Sequence, residues 1–140
     1  MDNNEENKLV YLQMIQGISN RLSSTSASFK GFAITLFAGV LAVVFSIGGS
    51  HRVLVLAFAF IGLSIIAGFD CWYFQMEKRY RKLYELVLAG DHDVDFDLSN
   101  DKTIVVPLSE VFTSKAIWLF YLVLLGVYLL LIILCALGCL

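Results

Sequence analysis

Residues 116–140 run for 25 positions without a charged side chain. No other stretch narrows the fold as far. At 1.5 Å per residue a helix of that length reaches ~37 Å, enough to cross a hydrocarbon core of ~30 Å with some tilt. Backbone amides and carbonyls find no water in lipid, so such a stretch spans as a helix unless it belongs to a closed barrel. Trp118, Phe120 and Tyr121 stand at its start, where aromatic rings mark the headgroup level. The span is assigned to 116–138.

Two further stretches have the same character. Residues 31–50, GFAITLFAGVLAVVFSIGGS, carry no charge and form the first span. The second, 53–74, is uncharged to position 69 and ends in the belt Trp72-Tyr73-Phe74. The turn Gly48-Gly49-Ser50-His51-Arg52 between them forces an antiparallel helix pair. Only 16% of residues are charged against 59% hydrophobic, where soluble domains carry ~25% charge. The expected fold is a single all-α membrane domain, 1–140. It has three transmembrane helices, an N-terminal amphipathic helix, and a second span that extends into the cytoplasm.

Outside the spans, residues 9–28 read as the amphipathic helix. Tyr11, Met14 or Ile15, Ile18 and Leu22 recur at helical spacing, with Gln13, Gln16, Asn20 and Arg21 opposite. Such a helix lies on the membrane, on a partner, or against the rest of the chain. Ser23-Ser24-Thr25-Ser26-Ala27-Ser28 is either a joint or a polar turn of one long helix. Residues 75–90 keep the helical period through Met76, Tyr80, Leu83, Tyr84 and Val87, and Gly90 suits the C′ position. Residues 91–112 are an acidic loop or hairpin. Val94, Phe96 and Leu98 alternate with aspartates, and Lys102–Val106 follows a Ser-Asn-Asp turn, which predicts a small β-hairpin before the third span.

The basic residues set the orientation. Three precede the first span, one lies in the turn, six lie between spans two and three, and none follows the last. The positive-inside rule then places the N-terminus and the 75–115 segment in the cytoplasm of a bacterial inner membrane, with the C-terminus outside. The first 28 residues are polar, with no basic segment before a short apolar core, so no cleavable signal peptide is expected.

Three sets of residues stand out. Asp70 is the one acid near membrane depth, a position that is functional by default. Its nearness to the aromatic belt favours an interfacial ion pair with Lys30 or Lys115 instead. Lys78, Arg79, Arg81 and Lys82 read as a headgroup and topology anchor, at ~1 kcal/mol per basic residue. Ala38, Ala42 and Ser46, with Gly62, Ser64 and Gly68, form small-residue faces of the kind that let helices approach closely in lipid.

Other chemistry is not indicated. Asp91, Asp93 and Asp95 imitate the start of a calcium loop, but Phe96 stands where glycine is needed and Lys102 where a bidentate Glu is needed. Cys71, Cys135 and Cys139 are an odd set without metal spacing and read as small apolar residues. His51 and His92 have no nucleophile or carboxylate at useful spacing, so neither an enzyme nor a cofactor or metal is expected. The charge balance of −2 argues against a nucleic-acid partner.

Met14-Ile15-Gln16-Gly17-Ile18 with Arg21, Ser28 and Lys30-Gly31 is similar to the start of a group of small, functionally uncharacterised bacterial inner-membrane proteins. Asp70-x-Trp72-Tyr73-Phe74 with Glu77 and Tyr80-Arg81-Lys82-Leu83-Tyr84 resembles their segment after the second span. Asp95-Phe96-Asp97, Ser114 and Phe120-Tyr121 fit the same layout. The resemblance implies three spans and brings no activity with it. In form such proteins also resemble membrane effectors of bacterial anti-phage defence.

Two functions follow. The first is a homo-oligomeric inner-membrane assembly, pore-like or membrane-perturbing, since three spans cannot enclose a channel alone. The second is an accessory or scaffold subunit that recruits a soluble cytoplasmic partner to the lipid bilayer.

Overall fold

The computed structural model describes residues 3–47, 51–94, 96, 98, 104–112 and 114–137. Four helices make up the described chain: α1 (Asn3–Ser46), α2 (His51–Ala89), α3 (Leu108–Phe112) and α4 (Lys115–Ala136). Three of them, α1, α2 and α4, are long and apolar enough to cross a membrane. They run up, down and up.

Length separates these helices. The 22 residues of α4 reach ~33 Å, about one hydrocarbon thickness. The 44 residues of α1 reach ~66 Å and the 39 of α2 ~58 Å, so each overshoots the bilayer by roughly its own thickness. Because α1 and α2 share one short turn, both overshoot at the same end and form a two-helix stalk.

The polar run 23–28 does not interrupt α1. Thr25 and Ser28 donate their hydroxyls to Arg21 O and Ser24 O, each at 3.0 Å, one turn back within the same helix. Helix α2 is likewise unbroken from its start after the α1–α2 turn into the stalk. It ends in a Schellman motif: Gly90 takes φ +85°, Asp91 N donates to Leu86 O at 3.0 Å, and Gly90 N to Val87 O at 3.3 Å. Lys8 Nζ also reaches Leu88 O at 3.2 Å, tying the two stalk ends together. At the opposite end Arg52 Nε donates to Ile47 O across the turn, at 2.6 Å.

Two apolar clusters hold the molecule. In the stalk, Tyr11, Leu12 and Ile15 of α1 are buried against Leu83, Val87 and Ile104. The face that reads as amphipathic is therefore spent on α2, while Leu9, Val10 and Met14 stay exposed. Each fully buried side chain there contributes about 1.5–3 kcal/mol, because the alternative is water. In the span region Ala33, Val44, Leu56, Ala59, Leu63, Ile117, Tyr121 and Tyr128 join all three long helices. Phe37 meets Tyr128 edge-on at 5.3 Å. Packing here is dispersion without a hydrophobic drive, since lipid tails are as apolar as leucine. Phe32, Phe45, Leu54, Phe58, Ile65, Phe69, Leu119 and Leu122 point outward, an apolar surface that suits lipid as its solvent.

The segment after α2 departs from the expected hairpin. No strand occurs among the described residues; 95, 97 and 99–103, on which part of that reading falls, lie outside them. Phe96 has φ +57°, a left-handed conformation no strand uses, and its ring meets Tyr11 edge-on at 5.5 Å. Val94 and Leu98 pack on the stalk cluster. The period-two alternation reflects a coil whose apolar side chains land on α1 and α2. Residues 104–107 then run as an extended strap along α2 into α3.

Candidate functional site: a buried polar knot at the span boundary

Counting 20 residues from the turn between α1 and α2, one bilayer thickness, reaches position 27 on α1 and position 70 on α2. Two buried polar side chains, Ser26 and Asp70, meet at that level. Asp70 is fully buried. Lys30 Nζ lies 2.8 Å from Asp70 Oδ2 and donates to Ser26 Oγ at 2.9 Å. Ser26 in turn donates to Asp70 Oδ1 in a short hydrogen bond. Ser26 and Lys30 are one turn apart on α1 and so converge on a single carboxylate. Of the two lysines matched to Asp70 by depth, Lys30 occupies the site; the side chain of Lys115 lies outside the described residues.

Tyr121 of α4 completes the level. It is buried, and its hydroxyl is close enough to feel the charge of Asp70. Both carboxylate oxygens are engaged by Ser26 and Lys30, and the Tyr121 hydroxyl, sealed from solvent, stands beside the same carboxylate. The knot thus draws on all three long helices, with two side chains from α1 and one each from α2 and α4. Chemically it is a satisfied ion pair, with the lysine a quarter exposed and the acid sealed. It fixes the register of α1 on α2, as buried ionic groups do in other helical assemblies. It offers no open carboxylate to an ion path.

The four basic residues beyond the belt divide their work. Lys78 Nζ donates to Glu110 O at 2.7 Å and sits 5.4 Å from the centre of the Phe74 ring. Arg79 Nε donates to Ile104 O at 3.0 Å. Arg81 pairs with the buried Glu77 one turn back at 2.6 Å, and Lys82 is exposed. Gln75 adds a bond to Val106 O at 2.8 Å, and Tyr80 Oη donates to Leu98 O at 3.0 Å. Lys78 and Arg79, read from sequence as headgroup anchors, spend these donors on backbone carbonyls, Lys78 on α3 and Arg79 on the strap. An extended segment beside the membrane has carbonyls without partners of its own, and α2 supplies them. Gln75 and Tyr80 escape a sequence reading because nothing in their spacing marks a side chain that will bond a distant backbone.

The small-residue faces divide as well. Gly62 sits within the α1–α2 contact, where an added Cβ would stand 3.8 Å from Leu36 Cδ2. Ala38, Ala42 and Ser46 on α1, and Ser64 and Gly68 on α2, are exposed. Around Gly68, the residues Ile65, Phe69 and Trp72 border a shallow depression. Their spacing of i, i+3, i+4 and i+7 outlines the four-residue hole that receives a side chain of a neighbouring helix.

No group of His, Cys, Asp or Glu suited to a metal occurs among the described residues. Asp95 of the aspartate run lies outside the described residues. Cys71 and Cys135 are free thiols, and Cys139 lies outside the described residues. Comparison with protein-family models, curated proteins and solved structures finds no match to this chain.

Proposed function

We propose that the chain is the subunit of a homo-oligomeric bacterial inner-membrane assembly that perturbs the membrane as a defence effector. Its stalk and N-terminus lie in the cytoplasm and its C-terminus outside. The observation that carries this reading is the pair of outward small-residue faces, Ala38-Ala42-Ser46 and Ser64-Gly68, left unspent once the three helices have packed. They stand on different helices, so copies can meet face to unlike face and close into a ring. The stalk suits the part of a trigger receiver. Helices α1 and α2 pass unbroken from water to the outer turn, so a displacement at Tyr11 or Val87 is carried into the spans. Asp70 is committed to Lys30, so the perturbation proposed is a rearrangement of spans and not conduction through that acid.

The mass of the particle in nanodiscs, read by native mass spectrometry, tests this. A discrete homo-oligomer of four or more copies supports it and leads to leakage assays on proteoliposomes; a monomer sinks it. A second reading, a scaffold that docks a soluble partner, is favoured by Leu9, Val10 and Met14, which are exposed on the stalk outside lipid. A stable complex with another protein in place of a ring would select that reading.

A further inference from the structure

Helices α1 and α2 are pinned to each other at three levels. Lys8 Nζ reaches Leu88 O at the stalk end, Arg52 Nε reaches Ile47 O at the turn, and Ser26 and Lys30 hold Asp70 between them. Helix α4 is held differently. Among the long helices it packs mainly on α2, and a groove of about 470 Å³ between the two leaves that seam incompletely closed. Apolar contact holds a span weakly in place, because lipid tails offer the same contacts. Among the described residues Tyr121, beside Asp70, supplies the one polar contact of α4 with α1 or α2. The remaining hold lies just before α4. Gln75, Lys78 and Arg79 donate to Val106 O, Glu110 O and Ile104 O at 2.8, 2.7 and 3.0 Å. Their i, i+3, i+4 spacing puts all three donors on one face of α2. Ile104, Val106 and Val111 are buried along the same segment. Helix α3 ends at Phe112 and α4 begins at Lys115, so three residue steps, ~11 Å at full stretch, join them. The first turn of α4 therefore sits where the strap and α3 put it.

We propose that the strap with α3 is a latch. The three bonds from Gln75, Lys78 and Arg79 hold the first turn of α4 against α2, and their release lets α4 swing away from an α1–α2 pair that stays intact. Both parts follow from how the polar contacts are distributed. The α1–α2 pair keeps its ties at the stalk end, the boundary and the turn, none of which involves the strap. Helix α4 keeps only Tyr121 beside Asp70 once the strap is loose. The donors grip main-chain carbonyls, so the latch depends on the α2 side chains and not on which side chains the strap carries. It works within one chain, and it stands or falls apart from the assembly of copies.

The test is the rate of maleimide labelling of the full chain in nanodiscs, with the three native cysteines replaced by alanine and Ile117→Cys as the reporter. Ile117 is buried in the first turn of α4, at the belt level, where reagent reaches it once α4 moves. Gln75→Leu, Lys78→Met and Arg79→Met together keep the apolar stems and remove all three donors. The combined variant is expected to label about tenfold faster than its parent, on the scale of the hydrogen bonds lost. Lys82→Met removes an exposed charge from the same stretch of α2 without touching the latch, and should label at the parental rate. Ile15→Cys is a second reporter, placed in the sealed α1–α2 seam of the stalk, and should stay protected in every variant. An unchanged rate at position 117 overturns the latch. An equal rise with Lys82→Met also overturns it, by assigning the effect to lost charge. So does a rise at position 15, which would make the strap a brace of the whole bundle and not of α4.

Discussion

Removing either end of the Lys30–Asp70 pair is expected to have unequal cost, and the inequality follows from burial. The lysine side chain is 25% exposed and the aspartate side chain 0%. Lys30→Met leaves a sealed carboxylate without its countercharge, with Ser26 still donating to it. Breaking a buried pair in that direction costs about 3–5 kcal/mol. Asp70→Asn leaves a cation that is already a quarter in contact with solvent. Its four-carbon stem lets the ammonium swing toward the headgroups, and the new amide oxygen still accepts from Ser26. What is lost is one charge-assisted hydrogen bond, partly recovered, or about 1–2 kcal/mol. The double substitution Lys30→Met with Asp70→Leu removes both charges. It is expected to fall within about 1 kcal/mol of wild type, because matched apolar replacements of buried pairs are neutral or stabilising. Thermal unfolding in detergent, followed by the fluorescence of Trp72 and Trp118 on either side of the knot, reads the three variants. A loss in Asp70→Asn as large as in Lys30→Met refutes the reasoning. So does a double variant that keeps the full penalty of the worse single one.

Three further outcomes are expected. Tyr128→Phe removes a fully buried hydroxyl without a partner in the three-helix core, and should leave thermal stability unchanged or raise it by up to about 1–3 kcal/mol; a clear loss would mean the hydroxyl is bonded in the membrane. Arg79→Ala should free Ile104 O and loosen the strap, seen as faster hydrogen exchange over 104–112 at a stability cost of about 1 kcal/mol, with α4 exchange unaffected. Gly68→Leu fills the depression among Ile65, Phe69 and Trp72, where an added Cβ meets nothing within 4 Å. It should preserve the monomer fold and lower the copy number in native mass spectra, whereas an unchanged oligomer would remove α2 from the proposed interface.

The spans and the continuity of α2 are legible in the sequence because bilayer thickness converts directly into uncharged length. The partner of Asp70 is half legible. Depth selects Lys30 and Lys115, but choosing between them needs the register of α1 on α2, which Ser26 and the stalk contacts set. The run 23–28 is ambiguous on its own, since each hydroxyl bonds equally well to its own helix or to a turn. Pairing with α2 on both sides of the run decides for the helix. The strap was not legible at all. The alternation at Val94, Phe96 and Leu98 with the run to Val106 suits a hairpin, yet the carbonyls of Ile104, Val106 and Glu110 are taken by Arg79, Gln75 and Lys78, from a helix 25 to 32 residues earlier. Long-range bonds from side chain to backbone leave no periodic trace. For the same reason the Arg and Lys cluster suggests headgroup contact, when part of it is internal.

The proposed topology has an odd number of crossings with the stalk on the inner side. Reporters of sidedness fused separately at the N-terminus and at the C-terminus, in intact cells, test that most directly. An N-terminal signal from the cytoplasm with a C-terminal signal from outside is the predicted result. Both ends on the same side would contradict it, because one of α1, α2 and α4 would then not cross.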